Sequence, residues 1–369
     1  MISRILTLIY KELWAVWGDK KSRFILIIPP LMQLFIFSFA ATLDVQNVSI
    51  GVVNRDNGER SIELLARFQG SPVFSHITYL DSVDQITPFI DNQKGVMVVS
   101  IDEQFSRDLD ASAPAKVQLI LDGRKSNTAQ ILMGYASLIV NQFSQDYASV
   151  VSVTAPTTTL IQRYWFNPNL IYYWYNVPSM VAILTMVVAL LVTGLSVARE
   201  REMGTFDQLL VSPMTPMEIL LGKIIPAIFI GMAGATLILI AGIFAFRIPF
   251  SGSLILLYIS LFVFVSSVVG VGLFVSSLSN TQQQAILGTY LFLSPSVLLS
   301  GFATPIENMP HWLQMASYIN PLRYILVIVR GIFLKGVNTE VVLENLWPMA
   351  IIAVVSMLLS SFFFRHRLE

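Results

Sequence analysis

The ionisable residues that could carry function in this sequence are concentrated in residues 197–223, a charged island between two apolar stretches. Four consecutive charges open it after a long uncharged run: Arg199, Glu200, Arg201 and Glu202. Because the hydrocarbon of a bilayer excludes charge, we expect this point to lie at a membrane surface. Side chains at such a surface suit contact with a partner protein.

Two helix starts follow these charges. Thr205 and Gln208 have the spacing of a capping box, in which the N-cap hydroxyl and a side chain three residues later each satisfy a backbone N–H. Gly204 allows the chain to bend just before it. Thr215 and Glu218 repeat the spacing, with a proline between them that fits the first helical position.

A short amphipathic helix is predicted between the two caps, from Phe206 to Val211. Phe206, Leu209 and Leu210 fall on one helical face, and Pro213 ends the helix. We interpret it as a surface helix outside the bilayer with one face free for a partner. The alternative is that any loop between two membrane helices needs charges and caps.

Motifs for bond-making chemistry are missing. The L-G-K string ending at Lys223 lacks the upstream glycine of a phosphate-binding loop and is followed by Ile224, so the chain is predicted to bind neither ATP nor Mg directly. It has no cysteine, and its three histidines lie far apart, so no metal site is predicted, although carboxylates alone could bind a hard ion. H-E-x-x-H and G-x-S-x-G are also missing, and the chain is predicted not to be an enzyme.

Composition places the chain in a membrane. Hydrophobic residues make up 54%, charged residues 12%, and the mean hydropathy is +0.67, which exceeds what a soluble core requires. The net charge of +0 gives no reason to expect a nucleic-acid partner. The predicted spans have no ionisable residue near their centres, which disfavours proton or sodium coupling, although carbonyl-only sodium sites stay open.

A polytopic α-helical membrane protein with six transmembrane helices is therefore predicted. The spans cover approximately 24–43, 177–197, 219–245, 254–278, 283–301 and 346–364. The basic amphipathic segment 1–23 is expected to lie along the inner membrane face and to keep the N-terminus cytoplasmic. A cleavable signal peptide is the alternative for the first span. An even number of spans returns the basic C-terminus to the same side.

A mixed α/β extracytoplasmic domain is predicted over residues 44–175, between the first and second helices. Its apolar runs read as strands at 48–53, 73–80, 95–101 and 116–121. A long amphipathic helix is expected over 127–151. The predicted parts are 1–43 (amphipathic helix and first span), 44–175, and 176–369, a five-helix domain with a coupling helix (199–218) and an outer re-entrant segment (302–336).

Two features are expected at the outer membrane surface. One is an interfacial belt of aromatic residues, or alternatively a ligand-stacking cage: Tyr164, Trp165, Tyr172, Tyr173, Trp174 and Tyr175. The other is the segment 302–336, whose prolines prevent a regular span, so that short helices dipping into the outer leaflet are expected. Arg323 and Arg330 lie on nearly one helical face there, and either reach the headgroups or guard an outer gate.

The string R-E-x-G-T-x-x-x-L-L-x-x-P, followed by L-G-K, resembles the cytoplasmic loop of the ABC-2 family of transport permeases. In that family the loop couples the permease to a separate ATPase. The matching positions are Glu200, Gly204, Thr205, Leu209, Leu210 and Pro213, accompanied by Arg199, Arg201, Glu202, Phe206 and Gln208. A second string resembles the family signature at Asn320, Pro321, Arg330 and Gly336, and F-N-P-N resembles the entry to the second span in the drug-efflux branch.

The resemblance implies the permease subunit of an ATP-driven exporter in a bacterial inner (cell) membrane, with both termini cytoplasmic. It implies cytoplasmic ABC ATPase subunits that bind ATP and Mg, and a second permease half that is an identical or related chain. Members with a large domain between spans one and two are often multidrug or efflux permeases working with a periplasmic adaptor. A non-transporting membrane receptor or sensor and an ion-gradient-driven carrier are the alternatives.

Overall fold

Two units make up the chain in this computed structural model, which describes residues 2–40, 47–111, 113–150 and 171–366. Met1–Ala41 and Tyr164–Glu369 form a helical unit, and Thr42–Arg163 form an α/β unit. Numbered along the chain, the α-helices are α1 (Ile2–Gly18), α2 (Lys20–Ala40), α3 (Glu59–Gln69), α4 (Ile86–Asp91), α5 (Phe105–Asp110), α6 (Ser126–Val150), α7 (Tyr172–Glu202), α8 (Phe206–Val211), α9 (Pro216–Phe246), α10 (Leu254–Leu278), α11 (Gln282–Leu298), α12 (His311–Ser317), α13 (Pro321–Arg330) and α14 (Thr339–His366). The strands are β1 (Ser49–Asn54), β2 (His76–Tyr79), β3 (Met97–Ile101) and β4 (Val117–Leu121).

The α/β unit is built on a sheet of four strands in the order β2-β1-β3-β4. β1 pairs in parallel with β2 and β3, and β4 pairs antiparallel with β3. Successive side chains point to opposite faces, so Val52 and Val99 pack with α3 and α6, while Val53 and Val98 pack against Phe89 of α4. The four predicted strands and the long helix after them are confirmed.

Helix α7 forms the centre of the helical unit. Its most apolar stretch is 72% buried, compared with 56% for α10, 39% for α9 and 22% for α14. Glycines allow this packing, because a side chain at Gly272 of α10 would overlap Thr193 of α7. Helix α7 is therefore buried on most sides, and the less buried helices of the unit, such as α9 and α14, expose apolar faces.

Four helices of the described residues, α7, α9, α10 and α14, are long and apolar enough to cross a membrane. The total rises to six if two bent pairs each count as one span: α1 with α2, bent by 66°, and α12 with Pro321–Lys335, bent by 79°. The span predicted over 283–301 is shorter than expected: α11 has 17 residues, roughly 26 Å at the α-helical rise. The six-span count stays a prediction.

The boundaries around the first helices also differ from expectation. The amphipathic helix predicted to reach Arg23 ends at Gly18, and α2 already begins at Lys20. The segment 302–336 does consist of short helices, as predicted. They are a 3₁₀ turn at Ile306–Asn308, then α12, α13 and a π-helical turn at Gly331–Lys335.

Close packing of α10 on α14 generates a first prediction. A Cβ at Gly270 would lie 2.9 Å from the backbone nitrogen of Met357 and 2.9 Å from the carbonyl carbon of Ser356. Neither atom can move without shifting α14, so we expect Gly270→Ala to destabilise the protein by about 1–3 kcal/mol. The measurement is thermal unfolding of the purified protein in detergent.

Gly134→Ala in α6 is the matched control, because nothing lies within 4 Å of a Cβ there. It should leave the melting temperature unchanged or raise it, since alanine is the better helix former. A wild-type melting temperature for Gly270→Ala would contradict the described packing.

Candidate functional site

The end of α7, where the predicted coupling loop begins, is held by a group of ion pairs around a buried lysine. Lys223 of α9 has a fully buried side chain and lies 2.7 Å from Glu200 Oε2 and 3.1 Å from Glu12 Oε1. Lys11 lies 3.0 Å from Glu200 Oε1. We call these four residues the Lys223 network. It joins α1, α7 and α9, which are distant in sequence.

The ammonium group of Lys223 is fully engaged. It donates to Glu12 Oε1, to the Ser196 carbonyl at 3.2 Å and to the Ser196 hydroxyl at 3.3 Å. Glu200 Oε2 approaches it without hydrogen-bond geometry, so that contact is an ion pair. Two cations balance two carboxylates, the condition under which buried charge is tolerated. Sequence reasoning missed Lys223, Glu12 and Lys11 as site residues.

The turn after α7 is made by Gly204, whose φ is 70°. Glycine adopts this left-handed conformation without strain. The turn brings both the N–H and the hydroxyl of Thr205 to the Glu200 carbonyl, at 3.0 and 3.3 Å. The capping box predicted between Thr205 and Gln208 is therefore wrong, because the Thr205 hydroxyl bonds backwards to α7 and its backbone is helical.

The second predicted capping box is confirmed. The Glu218 N–H donates to the Thr215 hydroxyl at 3.3 Å, and the Thr215 N–H donates to Glu218 Oε2 at 2.8 Å. Pro216 occupies the first position of α9. Arg4 of α1 donates to the carbonyl of Pro213 at 2.5 Å. The segment after α8 is thus bonded both to α9 and to α1.

Two charges of the island bind the connection between α10 and α11. Arg201 donates to the carbonyls of Ser277 and Ser279 at 2.7 and 3.1 Å. Glu202 accepts from the Gln282 N–H at 2.7 Å. These bonds attach the end of α7 to α10 and α11. The sequence alone predicts that Arg201 and Glu202 contact a partner protein, but here they bond within the chain.

Helix α8 is buried at its start and exposed at its end. Phe206 packs edge-on against Phe364 of α14, with ring centroids 6.2 Å apart. Gln208 is exposed, and Val211 is 89% exposed. Side chains of two predicted residues lie outside those described: Leu209 and Leu210. The end of α8 therefore exposes an apolar side chain.

A cavity of about 540 Å³ lies beside the network, and Arg199, Glu200 and Thr205 are among its lining residues. In the part of the chain that the structure describes, no three His, Asp or Glu side chains come together as a metal site.

The second predicted string forms the start and end of the α13 segment. Asn320 accepts from the Leu322 N–H at 3.1 Å as the N-cap and donates to the Ser296 carbonyl at 2.7 Å. Pro321 follows at the first helical position. Gly336 ends the π-helical turn with a φ of 62°.

Arg323 and Arg330 are both held by protein groups. Arg323 donates to the Ser317 hydroxyl at 2.5 Å. Arg330 donates to the Ser179 hydroxyl at 2.8 Å and lies 4.1 Å above the ring of Tyr175. Their role as an outer gate stays a prediction.

The predicted aromatic belt is described only in part. Tyr172, Tyr173, Trp174 and Tyr175 form the first turn of α7. Tyr173 and Tyr175 are 37% and 39% exposed, so their rings are accessible at one end of this helix. Tyr164 and Trp165 lie outside the described residues.

Comparison with known proteins decides the family. The sequence profile described as "ABC-2 family transporter protein" matches residues 20–362. The chain belongs to the ABC-2 transporter family. This ABC-2 permease is 45% identical over 357 residues to the "Probable multidrug ABC transporter permease YbhR" of Escherichia coli K12, covering 96% of each chain.

Two further relatives agree with this assignment. The "Probable multidrug ABC transporter permease YbhS" of the same strain is 33% identical over 349 residues, covering 92% of this chain and 90% of the relative. The "Inner membrane transport permease YhhJ" of Shigella flexneri is 26% identical over 361 residues, covering 94% and 92%. The family expected from the two sequence strings is confirmed over nearly the whole permease.

The two lysines of the network provide a matched prediction, because both contact Glu200 but the Lys11 side chain is 53% exposed and that of Lys223 is fully buried. We expect Lys223→Met to cost about 3–5 kcal/mol, since it removes the buried cation that Glu12 and Glu200 share. Lys11→Met should cost less than about 1 kcal/mol. Thermal unfolding in detergent measures both.

The double variant Glu12→Gln/Lys223→Met tests the ion pair between Lys223 and Glu12 by removing both partners. It should lose clearly less than the sum of the two single losses, because each change removes the same interaction. Additive losses, or equal losses for Lys11→Met and Lys223→Met, would contradict the network.

Proposed function

We propose that this ABC-2 permease is the membrane-spanning subunit of an ATP-driven exporter, and that separate cytoplasmic ATPase subunits dock on α8. The observation that carries the proposal is the contrast around this helix. Its end is exposed at Val211, whereas Arg201 before it and Pro213 after it are bonded to other helices. A displacement of α8 would therefore pass through these bonds into α1 and into the connection between α10 and α11.

We also propose a second permease half and an orientation in the membrane, from the exposed face of α14 and from the distribution of basic residues. The most apolar stretch of α14 is only 22% buried, which leaves a face for lipid or for a second permease half, identical or related. The basic residues of α1 and the start of α2 favour cytoplasmic termini in a bacterial inner membrane. In that orientation the α/β unit is extracytoplasmic, where a periplasmic adaptor could meet it.

The cargo is proposed by relationship. Two relatives are named as probable multidrug permeases, so we propose efflux of drug-like, largely apolar molecules. Transport driven by the partner should stop when ATP is depleted while ion gradients are maintained. Transport that continues would instead favour an ion-driven carrier.

Coupling through α8 can be tested with two changes in the loop. Gly204→Pro is incompatible with the left-handed turn, because proline fixes φ near −65°. Val211→Asp places a charge on the exposed apolar end of α8. Each should lower both ATPase capture by the purified permease and efflux by at least about tenfold, the loss expected for a central interface residue.

Ile62→Asp is the control, because Ile62 is an exposed aliphatic residue of the α/β unit and the chemical change is the same. It should leave ATPase capture unchanged. Normal efflux and normal capture by the Val211→Asp variant, at wild-type membrane levels, would show that α8 is not the docking surface.

The absence of cysteine makes the orientation directly measurable, because one introduced thiol is unique in the chain. We expect a membrane-impermeant maleimide to label Ile62→Cys in cells with a permeabilised outer membrane, and to label Val211→Cys only in inverted inner-membrane vesicles. The opposite pattern would place α8 outside the cell and would contradict the proposed coupling.

A further inference from the structure

An apolar groove with a volume of about 740 Å³ lies between α1, α2 and α9, with one contribution from α7. Aromatic side chains form much of its wall: Tyr10, Trp14, Trp17 and Phe229. Trp14 and Trp17 are 63% and 67% exposed, so this wall is open on one side. Exposed tryptophans beside an apolar surface are typical of the membrane interface.

Arg23 is the one charged side chain among the described residues that line the groove. It lies in the first part of α2, just after the 66° bend from α1. Its Nε atom is buried and has no hydrogen-bond partner among the residues that the structure describes. The side chain as a whole is half-buried, so an anionic oxygen in the groove could bind the accessible part of its guanidinium group and offset the cost of the unpaired donor.

We infer that this groove binds one anionic glycerophospholipid, with its phosphate on Arg23 and an acyl chain along the wall formed by α1 and α9. The guanidinium group suits a phosphate because it offers several donors in one plane. The aromatic and aliphatic wall suits the acyl chain, since the remaining described lining residues carry no charge.

Other occupants would use only half of this surface. A free inorganic or sugar phosphate would contact Arg23 but leave the apolar wall unused. A neutral apolar cargo molecule would fill the wall but make no use of the cation. The phospholipid alone matches both, and it would sit behind α1, the helix whose Glu12 and Arg4 hold α9 and the end of the coupling loop.

The test is native mass spectrometry of the full-length protein in mild detergent. The protein is delipidated and then titrated with dioleoylphosphatidylglycerol or with dioleoylphosphatidylcholine. We expect the wild type to bind one phosphatidylglycerol about fivefold more tightly than phosphatidylcholine, the factor expected when one cation contributes near an anionic lipid. Glycerol 3-phosphate should not compete, because it lacks the acyl chains.

Variants at three positions separate the two halves of the site. Arg23→Gln should lose the fivefold preference, and Arg23→Lys should keep most of it. Lys20→Gln removes the same charge from an exposed residue outside the lining and should behave as wild type. Ala233→Trp, which fills the groove from α9, should weaken binding of both lipids.

Three results would overturn the inference. They are equal binding of the two lipids by the wild type, an unchanged preference in Arg23→Gln, and displacement of the lipid by glycerol 3-phosphate. Displacement by glycerol 3-phosphate would indicate a site for a soluble phosphate. Equal binding of the two lipids would indicate a neutral apolar occupant. Because the readout is lipid binding without ATP or partner, it is independent of whether α8 docks an ATPase.

Discussion

A buried lysine that needs two carboxylates is the constraint on which the inner end of the helical unit depends. Lys223 cannot be desolvated alone, so Glu12 and Glu200 must stay beside it. That requirement holds the amphipathic helix α1 against α9, although the two are separated by more than half of the chain. It also fixes the last turn of α7, from which the Gly204 turn and α8 take their direction.

The rest of the helical unit is held together by other interactions. Along α7 and α10 the contacts are apolar and close, because glycines remove the side chains that would separate the helices. At the other end, polar side chains bond across elements, as Asn320 does to Ser296 and Arg330 does to Ser179. Charge pairs, close packing and a hydrogen bond between two side chains thus follow one another along α7. In the proposed exporter, this continuity would let movement of a small cytoplasmic helix reach the opposite membrane surface.

Local features were predictable from the sequence, and features that depend on distant partners were not. The cap at Thr215 follows from its own neighbours, and so do the strands of the α/β unit. The cap at Thr205 failed because a left-handed glycine brings in the Glu200 carbonyl, which residue spacing does not encode. Lys223 was missed because its partner Glu12 lies before the first apolar helix. The only signal was a lysine inside an apolar run, where an unpaired charge would be costly. The predicted span count did not anticipate that α11 is short and that two helix pairs are bent, because bends depend on packing between helices.

Hydrogen–deuterium exchange of the unmodified permease, alone and bound to its ATPase trapped with nucleotide, tests the central claim most directly. The account predicts slower amide exchange over residues 203–212 on assembly, because docking would cover α8 and the turn that carries it. Exchange at the start of α10, from Leu254, should not change. Unchanged exchange over residues 203–212 in a saturated, nucleotide-trapped complex would contradict the claim that α8 receives the work of ATP hydrolysis.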